Sequence, residues 1–279
     1  MISIRELFKQ YVDKLSSLYP IEEAESLVIW LFEEFLGKKR MDLIRDEQVE
    51  KLPEVLQDAL EQLLQGKPIQ YILGRAPFYG REFEVSPAVL IPRNETEELV
   101  HLIIKENPKE GLRILDIGTG SGCIPVTLSL EMARPQVFAV DISPEALDVA
   151  KRNAFTQHAS VEFCLLDILK QEIPFENLDI VVSNPPYVRY SEKGKMHQNV
   201  LDYEPHLALF VFDEDPLLFY REIAKKARRV LKPGGKLYFE INEALGADTQ
   251  KLMEGLGYSQ VKVLTDLNAK ERMVLGLKN

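Results

Sequence analysis

At 279 residues the chain is long enough for two modest domains or one large one. Hydrophobic residues make up 46% and charged residues 28%, the balance of an ordinary globular protein, and the net charge is -10. Residues 1–91 carry 11 basic and 16 acidic residues and 92–279 carry 23 and 28, so neither part has the basic footprint of a protein that grips long nucleic acid by its phosphates. The run of Lys225, Lys226, Arg228, Arg229 and Lys232 reads as a solvated helix face. Cys123 and Cys164 form no metal-spaced pair or CxxC and are expected to be buried and reduced. The start of the chain lacks a basic n-region followed by an apolar h-region, and Leu27–Phe32 is too short to span a bilayer, so a cytoplasmic setting is expected.

Residues 1–73 read as a small helical bundle. Ile4, Leu7, Phe8, Tyr11, Val12, Leu15 and Leu18 share one helical stripe. Pro20 breaks it, and a second helix over Ile21–Leu36, apolar nearly all round, is capped by Gly37. A third helix is expected over Val49–Gln65, with Pro53 in its first turn. Residues 74–91 read as a β-hairpin linker, carried by Phe78, Tyr79, Phe83 and Val85 around Gly80. Asn94 and Glu97 then have the spacing of a capping box that opens a helix to about Ile104.

Residues 92–279 alternate between strands and helices. Strands fit Arg113–Asp116, Gln136–Asp141, Val161–Leu165, Asp179–Asn184, Gly235–Ile241, Gln260–Leu264 and Met273–Leu277. Helices fit Gly122–Met132, Pro144–Thr156, Leu217–Leu231 and Ala247–Leu256. The pattern predicts an α/β fold with a doubly wound, mostly parallel sheet. The last two strands are separated by too few residues for a helical crossover, so they should form a C-terminal antiparallel hairpin.

The segment Asp116-Ile117-Gly118-Thr119-Gly120-Ser121-Gly122 joins a buried strand to a helix. Its alternate glycines allow close backbone approach to a ligand. Asp141 ends the next strand, where a carboxylate can accept both hydroxyls of a ribose. A nucleoside-bearing cofactor follows, a dinucleotide among the candidates. The spacing is GxGxG rather than the dinucleotide GxGxxG. No P-loop lysine follows the glycines, and His101, His158, His197 and His206 are scattered, so neither phosphoryl transfer nor a metal is assigned.

Asn184-Pro185-Pro186-Tyr187 follows an apolar strand, at the end where open α/β sheets place their ligands. The prolines stiffen this corner and donate no hydrogen bonds. That leaves the Asn184 side-chain oxygen, the carbonyl at Pro185 and the aromatic face of Tyr187, which together suit a planar group bearing NH2. The acceptor could be an amide or the exocyclic amine of a base.

The glycine loop resembles the first motif of class I S-adenosylmethionine-dependent methyltransferases, a Rossmann-like family. NPPY resembles the fourth motif of those that methylate planar NH2 groups. By that resemblance Asp167 and Ile168 hold the adenine. Pro68–Gly74, Val89–Arg93, Tyr203–Phe210 and Asp266-Leu267 before Arg272 extend the likeness to the whole chain, which is similar to the PrmC/HemK family. Members methylate the side-chain amide of the glutamine in the Gly-Gly-Gln loop of class-1 peptide release factors. The resemblance implies those factors as protein partners, the helical domain as the substrate-recognition part, no stable nucleic-acid binding and no membrane. It implies that Gly118, Thr119, Gly120, Ser121, Gly122, Asp141, Asp167, Ile168 and Asn184 bind the cofactor. Asn184, Pro185, Pro186 and Tyr187 hold the amide, with Tyr187 packed on its flat face. The alternatives are a base amine in nucleic acid or a ribosomal-protein glutamine. Asn94 and the acidic loop Val211–Pro216 depart from the family's usual proline and glycines.

Overall fold

The computed structural model describes residues 2–279. They form two compact units, the chain up to Gly74 with His197–Tyr203, and Arg75–Met196 with Glu204–Asn279. In the smaller unit the Ser3 hydroxyl accepts the Glu6 amide and caps α1 (Ile4–Leu15). Ile4, Leu7, Tyr11, Val12 and Leu15 form its buried stripe, as the spacing predicts. α2 (Ile21–Leu36) ends on Gly37 in the left-handed conformation. Its Phe32 meets Phe8 and Tyr11 edge-on, with ring centroids 6.2 and 5.7 Å apart. A short α3 (Arg40–Arg45) was not foreseen. None of its residues is buried, so it carries no apolar period to read. Ile2–Ser3 (β1) pairs antiparallel with Gln48–Val49 (β2), which takes Val49 out of the expected third helix. That helix, α4 (Glu54–Leu64), starts only after Pro53, its N-cap. α5 (Ile69–Leu73) completes the set.

The larger unit begins with the hairpin β3 (Arg75–Phe78) and β4 (Arg81–Glu84). Phe78 and Phe83 pack edge to face in the same core as Leu99, Ile114 and Val182, so the hairpin belongs to this unit's core and is more than a connector. The expected capping box on α6 (Asn94–Glu106) does not form. Arg93 is the N-cap and Asn94 is already helical, while the Glu97 carboxylate accepts the Tyr79 amide of the hairpin turn at 2.9 Å.

Next come β5 (Arg113–Ile117), α7 (Cys123–Glu131), β6 (Gln136–Asp141), α8 (Pro144–Thr156), β7 (Val161–Leu165) and β8 (Leu178–Ser183). A two-residue strand β9 (Val188–Arg189) and α9 (Gln198–Tyr203) follow, and α9 belongs to the smaller unit, where the Tyr203 hydroxyl donates to the Gln65 carbonyl at 3.1 Å. α10 (His206–Leu209), β10 (Phe210–Val211), α11 (Leu218–Val230), β11 (Leu231–Glu240), α12 (Gly246–Gly255), β12 (Tyr258–Thr265) and β13 (Glu271–Lys278) complete the chain. The seven-stranded sheet has the order β12-β13-β11-β8-β5-β6-β7. Five strands are parallel, and β13 runs antiparallel between β11 and β12, as the short connection requires.

Alternation along β5 and β8 sorts the core onto two faces. Leu115, Ile117 and Val181 pack with α11 and α12 residues on one side, and Ile114, Ile180 and Val182 with α6 and α7 residues on the other. Each fully buried Leu, Ile or Val contributes about 1.5–3 kcal/mol relative to exposure. β5 lies between β6 and β8, so the chain reverses direction across the sheet there, which is the ligand-binding crevice of open α/β sheets. Cys123 is buried, but Cys164 on β7 is only half-buried, a correction that follows from β7 being an edge strand. Among the described residues no helix is long and apolar enough to cross a membrane.

Gly122 precedes α7 with φ +79°, and a Cβ there would lie 3.0 Å from the Ala150 Cβ of α8. It is therefore a helix-packing glycine. Gly122→Ala should lower unfolding stability by about 2 kcal/mol, from backbone strain plus overpacking, measured by urea denaturation.

Candidate active site

Two loops leave adjacent parallel strands at the same level. Ile117 of β5 and Ser183 of β8 are register partners. The buried Ser183 hydroxyl donates to the Ile117 carbonyl at 2.7 Å, tying the strand ends together. Gly118 and Asn184 are the next residues, and a Cβ on Gly118 would lie 4.0 Å from the Asn184 carbonyl oxygen. The glycine loop is pinned from the other side by β6. Gly118 and Thr119 donate to the Val140 carbonyl at 2.9 and 3.1 Å, and Gly120 donates to Asp141 Oδ2 at 2.8 Å.

These ends open into one cavity of about 590 Å³, within the usual range for small-molecule sites. Gly118, Thr119, Gly120, Ser121, Asp141, Asp167, Ile168, Asn184, Pro185 and Pro186 all line it. Two expected residues do not. Gly122 faces Ala150, as described above, and Tyr187 is turned toward β11. The Tyr187 hydroxyl donates to Glu240 Oε1 at 3.2 Å. Burial, then the adjacent Glu240 carboxylate, raises its pKa, so it stays a protonated donor. Glu240 thereby anchors the phenol at its hydroxyl end, next to the Asn-Pro-Pro corner.

The cavity chemistry fits S-adenosylmethionine. Nothing lies within 4 Å of a Cβ position on Gly120, which leaves room beside the backbone. The buried Thr119 hydroxyl lacks a partner and lines the cavity. Asp141 is raised in pKa by burial against the opposing amides of Ser143 and Gly120, and each of its oxygens retains a lone pair for a ribose hydroxyl. Leu166 and Ile168 offer an apolar bed for a flat ring. That bed is held from behind by the buried Lys226 of α11, whose Nζ donates to the carbonyls of Ile168 and Gln171 at 2.6 and 2.7 Å. The expectation that Lys226 belongs to a solvated basic face is corrected by those two carbonyl acceptors and by its burial. Among the described residues no group of His, Cys, Asp and Glu could hold a metal ion.

Three further residues support the site: Glu204, which lies in the Tyr203–Phe210 likeness without a role readable from sequence, and Thr96 and Glu240, which the sequence reading missed. Glu204, only 5% exposed, accepts Arg93 at 2.5 Å and the Ile91 amide at 3.3 Å, so it fixes the Ile91–Arg93 wall of the cavity. Thr96 and Glu240 stand behind Asn184. Asn184 Nδ2 donates to Thr96 Oγ1 at 3.3 Å, and Thr96 Oγ1 donates to Glu240 Oε2 at 2.6 Å. The one available signal was an acidic residue closing the apolar strand Leu237-Tyr238-Phe239-Glu240. The departing acidic loop is anchored too: Asp213 accepts the Ser191 amide at 3.1 Å, and Asp215 pairs with Arg221.

Fold and cavity together define a class I methyltransferase. A methyltransferase from Pyrococcus furiosus shares the fold with a TM-score of 0.53 at 20% identity, over 80% of this chain and 98% of that chain. A methyltransferase-domain family model matches residues 108–269, and a PrmC N-terminal domain model matches 6–74. The release factor glutamine methyltransferase of Flavobacterium psychrophilum is 45% identical over 279 residues, covering 97% of this chain and 98% of the relative. That of Bacteroides thetaiotaomicron is 47% identical over 265 residues, covering 93% and 95%, and that of Streptococcus pneumoniae 40% over 282, covering 98% of each. The chain belongs to the release factor glutamine methyltransferase family.

Beneath the glycine loop Asp116 is fully buried, and neither carboxylate oxygen has a partner. Burial pushes its pKa from 3.8 up to about 7, the nearby Thr119 hydroxyl offsetting only part of the shift. A raised carboxylate pKa means the folded state binds the proton more tightly than the unfolded state. The resulting destabilisation is absent below about pH 4, grows as pH rises to about 7 and is constant above that. Asp116→Asn should therefore raise Tm relative to the native protein more at pH 8 than at pH 5, as read by calorimetry.

Proposed function

We propose that the protein transfers a methyl group from S-adenosylmethionine to the side-chain amide nitrogen of the glutamine in the Gly-Gly-Gln loop of class-1 peptide release factors. The observation that carries this is the placement of Asn184 at the end of β8, directly beside Gly118. The names of the full-length relatives support the acceptor, and the net charge of -10 disfavours a nucleic-acid one.

Bound S-adenosylmethionine supplies an electrophilic methyl on a sulfonium. Its methyl would pass from sulfur to the amide nitrogen, which would give up one proton to water. An amide nitrogen is a poor nucleophile because its lone pair is delocalised into its carbonyl, so the protein's task is alignment. Asn184 Oδ1 and the Pro185 carbonyl each accept one N–H of the glutamine, which fixes the direction of the nitrogen lone pair. The same oxygens face the positive charge that grows on nitrogen, and they are held in place before reaction. Pro186 keeps the turn stiff, and Tyr187 secures it through Glu240. Gly118–Ser121 and Asp141 hold the cofactor, and Asp167 and Ile168 hold its adenine.

Mass spectrometry of a release factor incubated with the enzyme and S-adenosylmethionine should show one added methyl on the Gly-Gly-Gln peptide. Asn184→Ala should lower turnover about 100-fold or more at saturating S-adenosylmethionine. Native turnover in that variant, or methyl transfer to DNA or RNA in place of the peptide, would count against the reading.

The helical N-terminal domain is proposed to grip the protein substrate, on the strength of its own separate core and its match to the PrmC N-terminal domain. Deleting residues 1–73 should weaken release-factor binding and leave S-adenosylmethionine binding largely intact, by calorimetry with each ligand. Undiminished release-factor affinity would reject this role.

A further inference from the structure

We infer that Thr96 and Glu240 are positioning residues that set which end of the Asn184 side-chain amide faces the substrate. The inference rests on the reading of Asn184 as the acceptor-side group, and it concerns how that group is oriented.

A side-chain amide has two chemically opposite ends of nearly equal size. With Oδ1 toward the cavity, Asn184 accepts from a glutamine NH2. With Nδ2 toward the cavity, it presents a donor to a donor and repels the same substrate. Something other than the ligand has to choose between these states. The chain of bonds behind Asn184 does so by counting protons. At neutral pH Glu240 is an acceptor only. Burial raises its pKa to about 6, opposed by the donors Thr96 and Tyr187 and the charge of Arg272, so it remains ionised above that. A hydroxyl has a single proton, and Thr96 gives it to Glu240 Oε2 at 2.6 Å. Toward Asn184, 3.3 Å away, Thr96 can then offer only a lone pair. The Asn184 group that meets it has to be the NH2, and Oδ1 is left for the ligand.

The second Glu240 oxygen is occupied by the Tyr187 hydroxyl at 3.2 Å. Both oxygens are therefore engaged; of the three relay residues Thr96 reaches the cavity wall, and Glu240 and Tyr187 do not line it. Glu240 is 1% exposed and Thr96 3%, so water does not compete for these bonds. A buried carboxylate is costly to keep. Its location here, one residue beyond the β11 partner of Ser183, puts that charge beside the corner. With glutamine at position 240, the new NH2 can donate to Thr96, the Thr96 proton can turn to Asn184, and the amide can reverse.

The test combines turnover with a double-mutant cycle. Thr96→Val, which keeps the shape and removes the hydroxyl, and Glu240→Gln should each lower kcat about tenfold or more, with the dissociation constant of S-adenosylmethionine within about twofold of native. Thr96→Ser should stay within about threefold of native kcat. In an Asn184→Ala background, Thr96→Val should cost nothing further, because its effect runs through Asn184. Native kcat in Thr96→Val, or an equal loss in both backgrounds, overturns the inference. Glu240→Gln runs through the same cycle if Thr96→Val does not fold. A second readout needs no acceptor. In protein labelled with nitrogen-15 at asparagine side chains, the Asn184 NH2 resonances should move in Thr96→Val and Glu240→Gln and stay near native in Thr96→Ser. Resonances that do not move in either variant overturn the inference, whether or not a release factor is methylated. Failure of native methylation, by contrast, falls on the proposed function alone.

Discussion

The hydrogen bond from the Ser183 hydroxyl to the Ile117 carbonyl, 2.7 Å long and fully buried, locks the ends of two parallel strands in register. Everything at the site depends on that register. A slip of one residue would turn every side chain of β8 to the opposite face and carry Asn184 away from Gly118. In the observed register the glycine loop and the Asn-Pro-Pro corner leave the sheet at one height. In the proposed reading, a methyl donor cradled by the first and an amide held by the second would meet without either having to move far. The apolar runs of β5 and β8 are what hold the register, since both faces of these strands are buried.

Around this lock the protein places polar groups that cost stability. Asp116 is buried without a partner, and Glu240 is buried with two donors and the nearby charge of Arg272. Both lie directly behind loops that face the cavity. Buried charges in ordinary core positions are replaced by apolar groups with little loss or some gain. Their concentration here fits the rule that strained and costly groups gather at functional sites. Glu204 and Lys226 serve the cavity walls in the same manner, one clamping Arg93 and the Ile91 amide, the other the carbonyls of Ile168 and Gln171.

The α/β alternation was legible because period-2 and period-3.6 patterns are local, and Ile21–Leu36, Gln136–Asp141, Pro144–Thr156 and Val161–Leu165 are found where the pattern put them. Local patterns failed where a distant residue competes. The Asn94 capping box lost Glu97 to the Tyr79 amide, and Arg93 became the cap while paired with Glu204, 111 residues away. Tyr187 is read from NPPY, but nothing local tells that its hydroxyl bonds to Glu240. Gly122 read as part of a cofactor loop, and its reason lies in Ala150 of the next helix. Thr96 and Glu240 could not be paired from sequence at all, since a threonine and a glutamate 144 residues apart carry no spacing signal.

In the proposed mechanism an acceptor-only corner selects a primary amide. The most direct measurement uses a release factor in which the glutamine of Gly-Gly-Gln is replaced by glutamate, isosteric but without N–H groups, compared with the native factor. Methyl incorporation from labelled S-adenosylmethionine is followed for both. The account predicts incorporation into the native factor and none above background into the glutamate form, whose oxygens would face Asn184 Oδ1 and the Pro185 carbonyl. Comparable incorporation into the glutamate form would contradict it.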